Sequence, residues 1–202
     1  MLLFIGKLKS IYTMTKQKIV QYGDQVLRKP ASRVLKFDKS LRKLVEDMFE
    51  TMYASEGIGL AAPQIGVSKR VIVLDVEYPT KRYDKETNKE TNAYNPLVLI
   101  NPLIIEKEGE LVSKEGCLSF PNVYIDVKRF KKILVRYQDL LGKDRKLLAE
   151  DDLKCRCIHH EIDHLDGKLF VDKAIGQEQL QKALGETGLG DRDSPPPGVL
   201  IG

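Results

Sequence analysis

The stretch Cys157-Ile158-His159-His160-Glu161-Ile162-Asp163-His164-Leu165-Asp166-Gly167 constrains this chain more than any other. Wound as a helix, it sets His160 and His164 one turn apart on one face, the spacing two imidazoles need to grip one metal ion. Glu161 follows the first of them and lies about 100° around the axis. From there it is off line for a third ligand yet close enough to take a proton from water at the site. The chain has three histidines, and all lie here. Asp166-Gly167 supplies a stop signal, and Asp151 or Asp152 caps the start. Two protein nitrogens leave tetrahedral positions open, which is the pattern of a catalytic site. A five-residue pattern fixed at three positions also recurs by chance, and a histidine pair is often a solvated face, so the third ligand has to be sought elsewhere.

At 202 residues the length suits one domain with a substantial core. A net charge of +4, scattered evenly, is too mild to argue for nucleic-acid binding. Three cysteines, at 117, 155 and 157, fit a reducing compartment better than a disulfide framework. No apolar run approaches the roughly 18 residues of a membrane span. Residues 1 to 23 are basic and free of acids, too short in their apolar run for a secretory signal. They read as a soluble start or an organellar leader, with Met14 as an alternative initiator.

From Asp38 onward Leu41, Leu44, Val45, Met48, Phe49, Met52 and Tyr53 recur at helical intervals, predicting a long amphipathic helix that Gly57 ends. Gly57-Ile58-Gly59-Leu60-Ala61-Ala62-Pro63-Gln64 follows, where small residues permit close backbone approach and Gln64 is a lone polar group. Val71 to Val76 reads as a buried strand and residues 77 to 95 as an exposed loop. Strand signals return at 97–100, 103–105, 123–127, 133–137 and 145–148, with turns at Gly109 and Gly142. Helix, then strands, then the histidine helix predicts an α+β fold with mainly antiparallel sheets. In Glu115-Gly116-Cys117-Leu118-Ser119-Phe120-Pro121, glycine and proline mark a non-repetitive edge that presents a thiol. Cys117 is therefore favoured as third ligand over Cys155 and Cys157, whose place on the helix strains any reach to the metal.

Gly57 to Gln64, Glu115 to Ser119 and His160 to His164 together closely resemble the three signature motifs of the peptide deformylases. The resemblance covers residues 17 to 175. It implies that Cys117, His160 and His164 bind one divalent metal ion, Fe(II) natively with zinc, nickel or cobalt as substitutes. It makes Glu161 the general base and acid, and the Gln64 amide and the Leu118 backbone N–H the stabilisers of the oxyanion. The implied reaction removes the N-formyl group from N-formyl-methionyl peptides at the ribosome and releases formate. Helix spacing nominates Leu153, Arg156 and Cys157 for the substrate pocket, with Ile58 and Gly59 opposite, where the peptide would add as a strand. Arg156 is awkward there, because its charge has to lie at the mouth or pair elsewhere. Asp163 and Glu115 are expected to orient the ligands.

A metalloprotease would want a later ligand, and Glu186 lacks helical context to present it. A structural site would need Cys155, Cys157 or His159, which point elsewhere. Residues 1–185 are expected to form one catalytic domain, and the proline-rich 186–202 a flexible tail. The expected setting is bacterial cytoplasm, with an organelle as the alternative. The C-terminal element is the candidate for ribosome contact, without sequence-specific nucleic-acid binding and without a membrane partner.

Overall fold

A computed structural model of the chain describes residues 16–77, 81–84, 89–92, 94–150 and 153–189, with side chains for all but 81–84 and 89–92. Helix α1, Lys39–Ala54, buries Leu41, Val45, Met48 and Met52. Asp38 caps it, its carboxylate accepting the N–H groups of Ser40 and Leu41. The helix carries the whole apolar pattern through Tyr53 and ends at Ala54, before the expected stop at Gly57. The left-handed residue is Glu56, at φ 56°, rather than Gly57. Gly57 instead donates its N–H to the Met52 carbonyl, and a Cβ there would lie 2.8 Å from Leu118 Cδ1.

Nine strands follow among the described residues. They are β1 Gly59–Ala61, β2 Val71–Leu74, β3 Lys81–Asp84, β4 Lys89–Asn92, β5 Leu97–Glu108, β6 Leu111–Cys117, β7 Phe120–Arg129, β8 Lys132–Gln138 and β9 Asp144–Glu150. Helix α2, Leu153–Leu165, carries the histidines, and α3 spans Gln177–Glu186. The main sheet runs β1-β2-β5-β8-β9, and the hairpins β3-β4 and β6-β7 stand apart. Every pairing between these strands is antiparallel. β2 is a continuous apolar run because both of its faces are covered. Ile72 and Leu74, with Leu99, Ile133, Val135 and Ala149, pack on Cys155, Ile158, Ile162 and Leu165 of α2. Val71 and Val73 face α1. A separate cluster under β7 gathers Phe120, Val123, Ile125 and Val127 with Phe170, Leu180, Leu184 and Leu189.

Several expectations need amending. Part of the 77–95 segment is a hairpin in its backbone, with Lys81 opposite Asn92 and Asp84 opposite Lys89. Its polar composition carries no alternating apolar signal that would mark strands. Glu186 does have helical context, as the last residue of α3, but it is exposed and sits 3.9 Å from Lys182. Leu189 is buried. The leader before Lys16, the caps at 151 and 152 and the tail from 190 lie outside the described residues. The stop at Asp166-Gly167 is as expected: Gly167 has φ 71° and the Lys168 N–H reaches the Asp163 carbonyl.

Replacing Asp38 by Ala removes the α1 cap and should lower unfolding stability, read as a lower urea midpoint. A urea midpoint equal to wild type, at unchanged slope, would count against that role.

Candidate metal centre

Two elements converge on the site. α2 presents His160 and His164 one turn apart, with ring centroids 5.1 Å from each other. Cys117 ends β6 where the hairpin register shifts, Gly116 facing Tyr124 but Cys117 facing Phe120. That irregularity ends the ladder and turns the thiol toward the helix. Cys117 Sγ lies 3.3 Å from His164 Nε2. Ligand atoms of Cys117, His160 and His164 all lie within 4.8 Å of one another. Bonds of about 2.0–2.3 Å around a tetrahedral ion put ligand atoms roughly 3.3–3.8 Å apart. One sulfur and two nitrogens at this separation fit one borderline-soft divalent ion. Glu161 Oε2 is a buried polar atom without a protein partner beside this cluster, as expected where a non-protein group completes the site.

Glu115 accepts at His160 Nδ1, 3.0 Å away, which leaves Nε2 free for an ion. Burial pushes the Glu115 carboxyl up, but the Arg129 fork and His160 outweigh it and hold it down to about 2. Arg129 donates to both Glu115 oxygens, each at 2.8 Å, and through Nη1 to Asp163. Lys173 adds a contact of 2.8 Å to Asp163. Arg129 was not among the residues the sequence reading singled out. Its signal lies in Val123-x-Ile125-x-Val127-x-Arg129, whose alternation puts the guanidinium on the inner face.

Cys117, His160, Glu161, Glu115, Gln64, Leu118, Ile58, Gly59, Leu153, Arg156 and Cys157 line one cavity of about 510 Å³, whereas His164 and Asp163 are outside its lining. Ile58, Gly59, Leu118, Leu153, Arg156 and Cys157 form much of the lining. Lys114, Asn122 and Tyr124 were not anticipated, and Tyr124 is 61% exposed at the mouth. Glu161 is 4% exposed, and burial pushes its carboxyl up to about 7. Gly59 has a tighter reason to be glycine than strand addition: a Cβ would lie 2.5 Å from Cys157 Sγ and 2.6 Å from Glu161 Oε1. Gln64 is fully buried in a 3-10 turn, Ala62–Ile65. Its Oε1 accepts the Ala61 N–H at 2.8 Å, which aims Nε2 at Cys117 Sγ, 3.5 Å away, and Ser119 Oγ, 3.3 Å away.

Cys155 lies 3.5 Å from the Phe130 carbonyl and His159 stacks on the Phe130 ring, so neither joins the cluster. Burial raises the Cys157 thiol well above its ordinary range and keeps it protonated. Glu115→Gln should weaken metal retention roughly 10–100-fold, because the amide no longer polarises His160. Competition with a chelator measures this, and retention equal to wild type would remove Glu115 from the orienting role.

The sequence model of the polypeptide deformylase family matches residues 16–180. A peptide deformylase of Prochlorococcus marinus strain NATL2A is 46% identical over 170 residues, covering 84% of this chain and 78% of that one. One from Microchaete diplosiphon is 47% identical over 167 residues, covering 82% and 83%. Among solved structures, the peptide deformylase of Synechococcus elongatus in complex with actinonin has a TM-score of 0.80 at 40% identity, covering 92% of this chain and 95% of that one. Shared sequence over most of both chains, shared architecture and a thiol set beside a histidine helix lead to one conclusion: the chain belongs to the polypeptide deformylase family.

Proposed function

We propose that this protein hydrolyses the N-formyl amide of formyl-methionyl peptides with Cys117, His160 and His164 as metal ligands and Glu161 as the proton-transfer group. The observation that carries this reading is the convergence of one thiol and two imidazoles within 4.8 Å beside a buried carboxylate. The expected ion is Fe(II), with zinc, nickel or cobalt as substitutes. Bound there, a divalent ion supplies Lewis-acid polarisation.

The chain's own residues do the rest. Glu161 takes the proton of the attacking water and hands it to the departing amine, and a carboxyl near neutrality suits both transfers. The Gln64 amide and the Leu118 backbone N–H donate to the oxygen on which charge develops. Fixing Gln64 through its own Oε1 places that donor before the reaction starts. Ile58, Leu153 and Cys157 give the apolar walls for methionine, while the Arg156 guanidinium sits at the half-exposed mouth. Gly59 leaves the β1 backbone open for the peptide to pair as a strand.

Residues 1–185 act as one catalytic domain, with 186–202 appended. α3 is the element for ribosome contact, and the setting is the bacterial cytoplasm or an organelle. No helix among the described residues is long and apolar enough to cross a membrane. A protease reading gains nothing from Glu186, which lies beside Lys182, away from the cluster.

Anaerobically prepared Fe(II) protein should deformylate formyl-Met-Ala-Ser. Glu161→Ala should lower kcat by roughly 10²–10⁴-fold with metal retained. Cys117→Ala should lose the metal. Gln64→Leu should cost roughly 10²–10³ in kcat. Full activity in Glu161→Ala would hand the proton transfer to another group, and no activity in the metal-loaded wild type would end the enzymatic reading.

A further inference from the structure

A second cavity, of about 500 Å³, is polar rather than apolar in its walls. Arg33, Arg70 and Arg136 line it from three segments distant in sequence, with Asp144 and Asp166 as the only carboxylates in its lining. Arg70 is committed: it donates to Asp166 Oδ1 at 2.8 Å, to the Leu165 carbonyl at 3.2 Å and to the Pro102 carbonyl at 3.1 Å. The side chains of Arg33 and Arg136 have no ion pair or hydrogen bond among the described residues.

These cations are held against electrostatic cost. The β8-β9 register sets Arg136 directly opposite Lys146, both exposed, and Lys146 has no carboxylate partner among the described residues either. Like charges directly opposite in a sheet destabilise it. Arg33 rides on a pinned segment. Before it, the Arg70 N–H donates to the Ser32 carbonyl at 2.8 Å. After it, Asn101 accepts the Val34 N–H at 2.8 Å and donates to the Val34 carbonyl at 2.9 Å. Asn101 makes this clamp at φ 52°, a left-handed region that asparagine adopts more readily than most non-glycine residues. Two unmatched guanidiniums line one concavity, and Arg136 also faces Lys146 across the strand pair.

We propose that this cavity binds a phosphate-type oxyanion, with Arg33 and Arg136 supplying donor forks over a floor fixed by Arg70. The planar guanidinium matches phosphate geometry in two-point contact. The volume lies in the range of small-ligand sites, about 300–1,000 Å³. A phosphorylated small molecule and a polynucleotide backbone offer the same chemistry, and the occupant would lie beside the end of α2, where Arg70 holds Leu165 and Asp166.

The test uses the metal-loaded full chain, titrated calorimetrically with inorganic pyrophosphate and separately with a short single-stranded RNA at constant ionic strength. Wild type is compared with R33A/R136A and with K131A, an exposed cation in the turn between β7 and β8. Pyrophosphate affinity should fall on the order of tenfold or more in R33A/R136A and stay unchanged in K131A, with thermal unfolding of both variants as in wild type. RNA that binds more tightly than pyrophosphate, and loses that binding in R33A/R136A, names a polynucleotide backbone as the source. RNA that binds no more tightly names a small phosphorylated ligand. Equal pyrophosphate affinity in wild type and R33A/R136A, as when the anion sits at the metal centre, overturns the proposal. Absence of binding by both probes overturns it as well.

Discussion

Arg129 is 3% exposed and carries a full charge. A guanidinium taken from water costs several kcal/mol unless its donors are matched, and here they are matched by Glu115 and Asp163. The pairing does more than neutralise. Glu115 and Arg129 belong to the β6-β7 hairpin, Asp163 to α2 and Lys173 to the 3-10 turn Phe170–Lys173. The apolar clusters on the two sides are distinct, one on the main sheet and one under the hairpin. Apolar burial is non-directional and tolerates sliding. A bidentate fork does not. Because Cys117 comes from the hairpin and the imidazoles from the helix, the spacing of the cluster rests on this ion ladder.

The same ladder sets the chemistry of the ligands. Glu115 stays ionised because Arg129 and His160 outweigh the effect of its burial, and as an anion it fixes the His160 tautomer. Glu161, four residues before Leu165 on the same helix, has no such fork, and burial drives it the other way. Two buried carboxylates thus divide into one held ionised beside His160 and one pushed toward neutrality, the division that the proposed proton transfer by Glu161 requires. The division requires that Glu161 stay close-packed, which Gly59 permits by leaving out a side chain where β1 crosses the helix.

Much of this was legible in the sequence. Periodicity placed α1, the histidine spacing and its stop signal placed α2, strand signals placed much of β2, β5, β7, β8 and β9, and three separated motifs named residues that the fold, His164 excepted, brings to one cavity. What escaped has physical causes. Arg129 escaped because a charged residue is read as exposed, although its place in the alternation of β7 pointed inward. The β3-β4 hairpin escaped because its polar residues carry no period-two signal. Glu56 escaped because left-handed backbone is credited to glycine, and the neighbouring Gly57 is small for a different reason, the Leu118 side chain lying against it. Tyr124 and Lys114 join the cavity only through the cross-strand geometry of the hairpin, which no local pattern encodes.

The two cavities show how the surroundings of an arginine decide what it does. At Arg129 every charged contact is made inside the protein, so the group has nothing left for a ligand and acts only on the placement of others. Arg70 stands midway, its fork spent on Asp166 and two carbonyls that tie the end of α2 to the start of β2. Arg33 and Arg136 keep their donors open to solvent while neighbouring backbone is held by Asn101 and the strand ladder. A folded chain under no functional demand would be expected to place a carboxylate opposite Arg136, as it places Glu150 opposite Lys132 four residues along the same pair of strands. That it places Lys146 there instead locates unsatisfied charge beside a polar concavity, and an anion from outside is the partner the proposed arrangement takes.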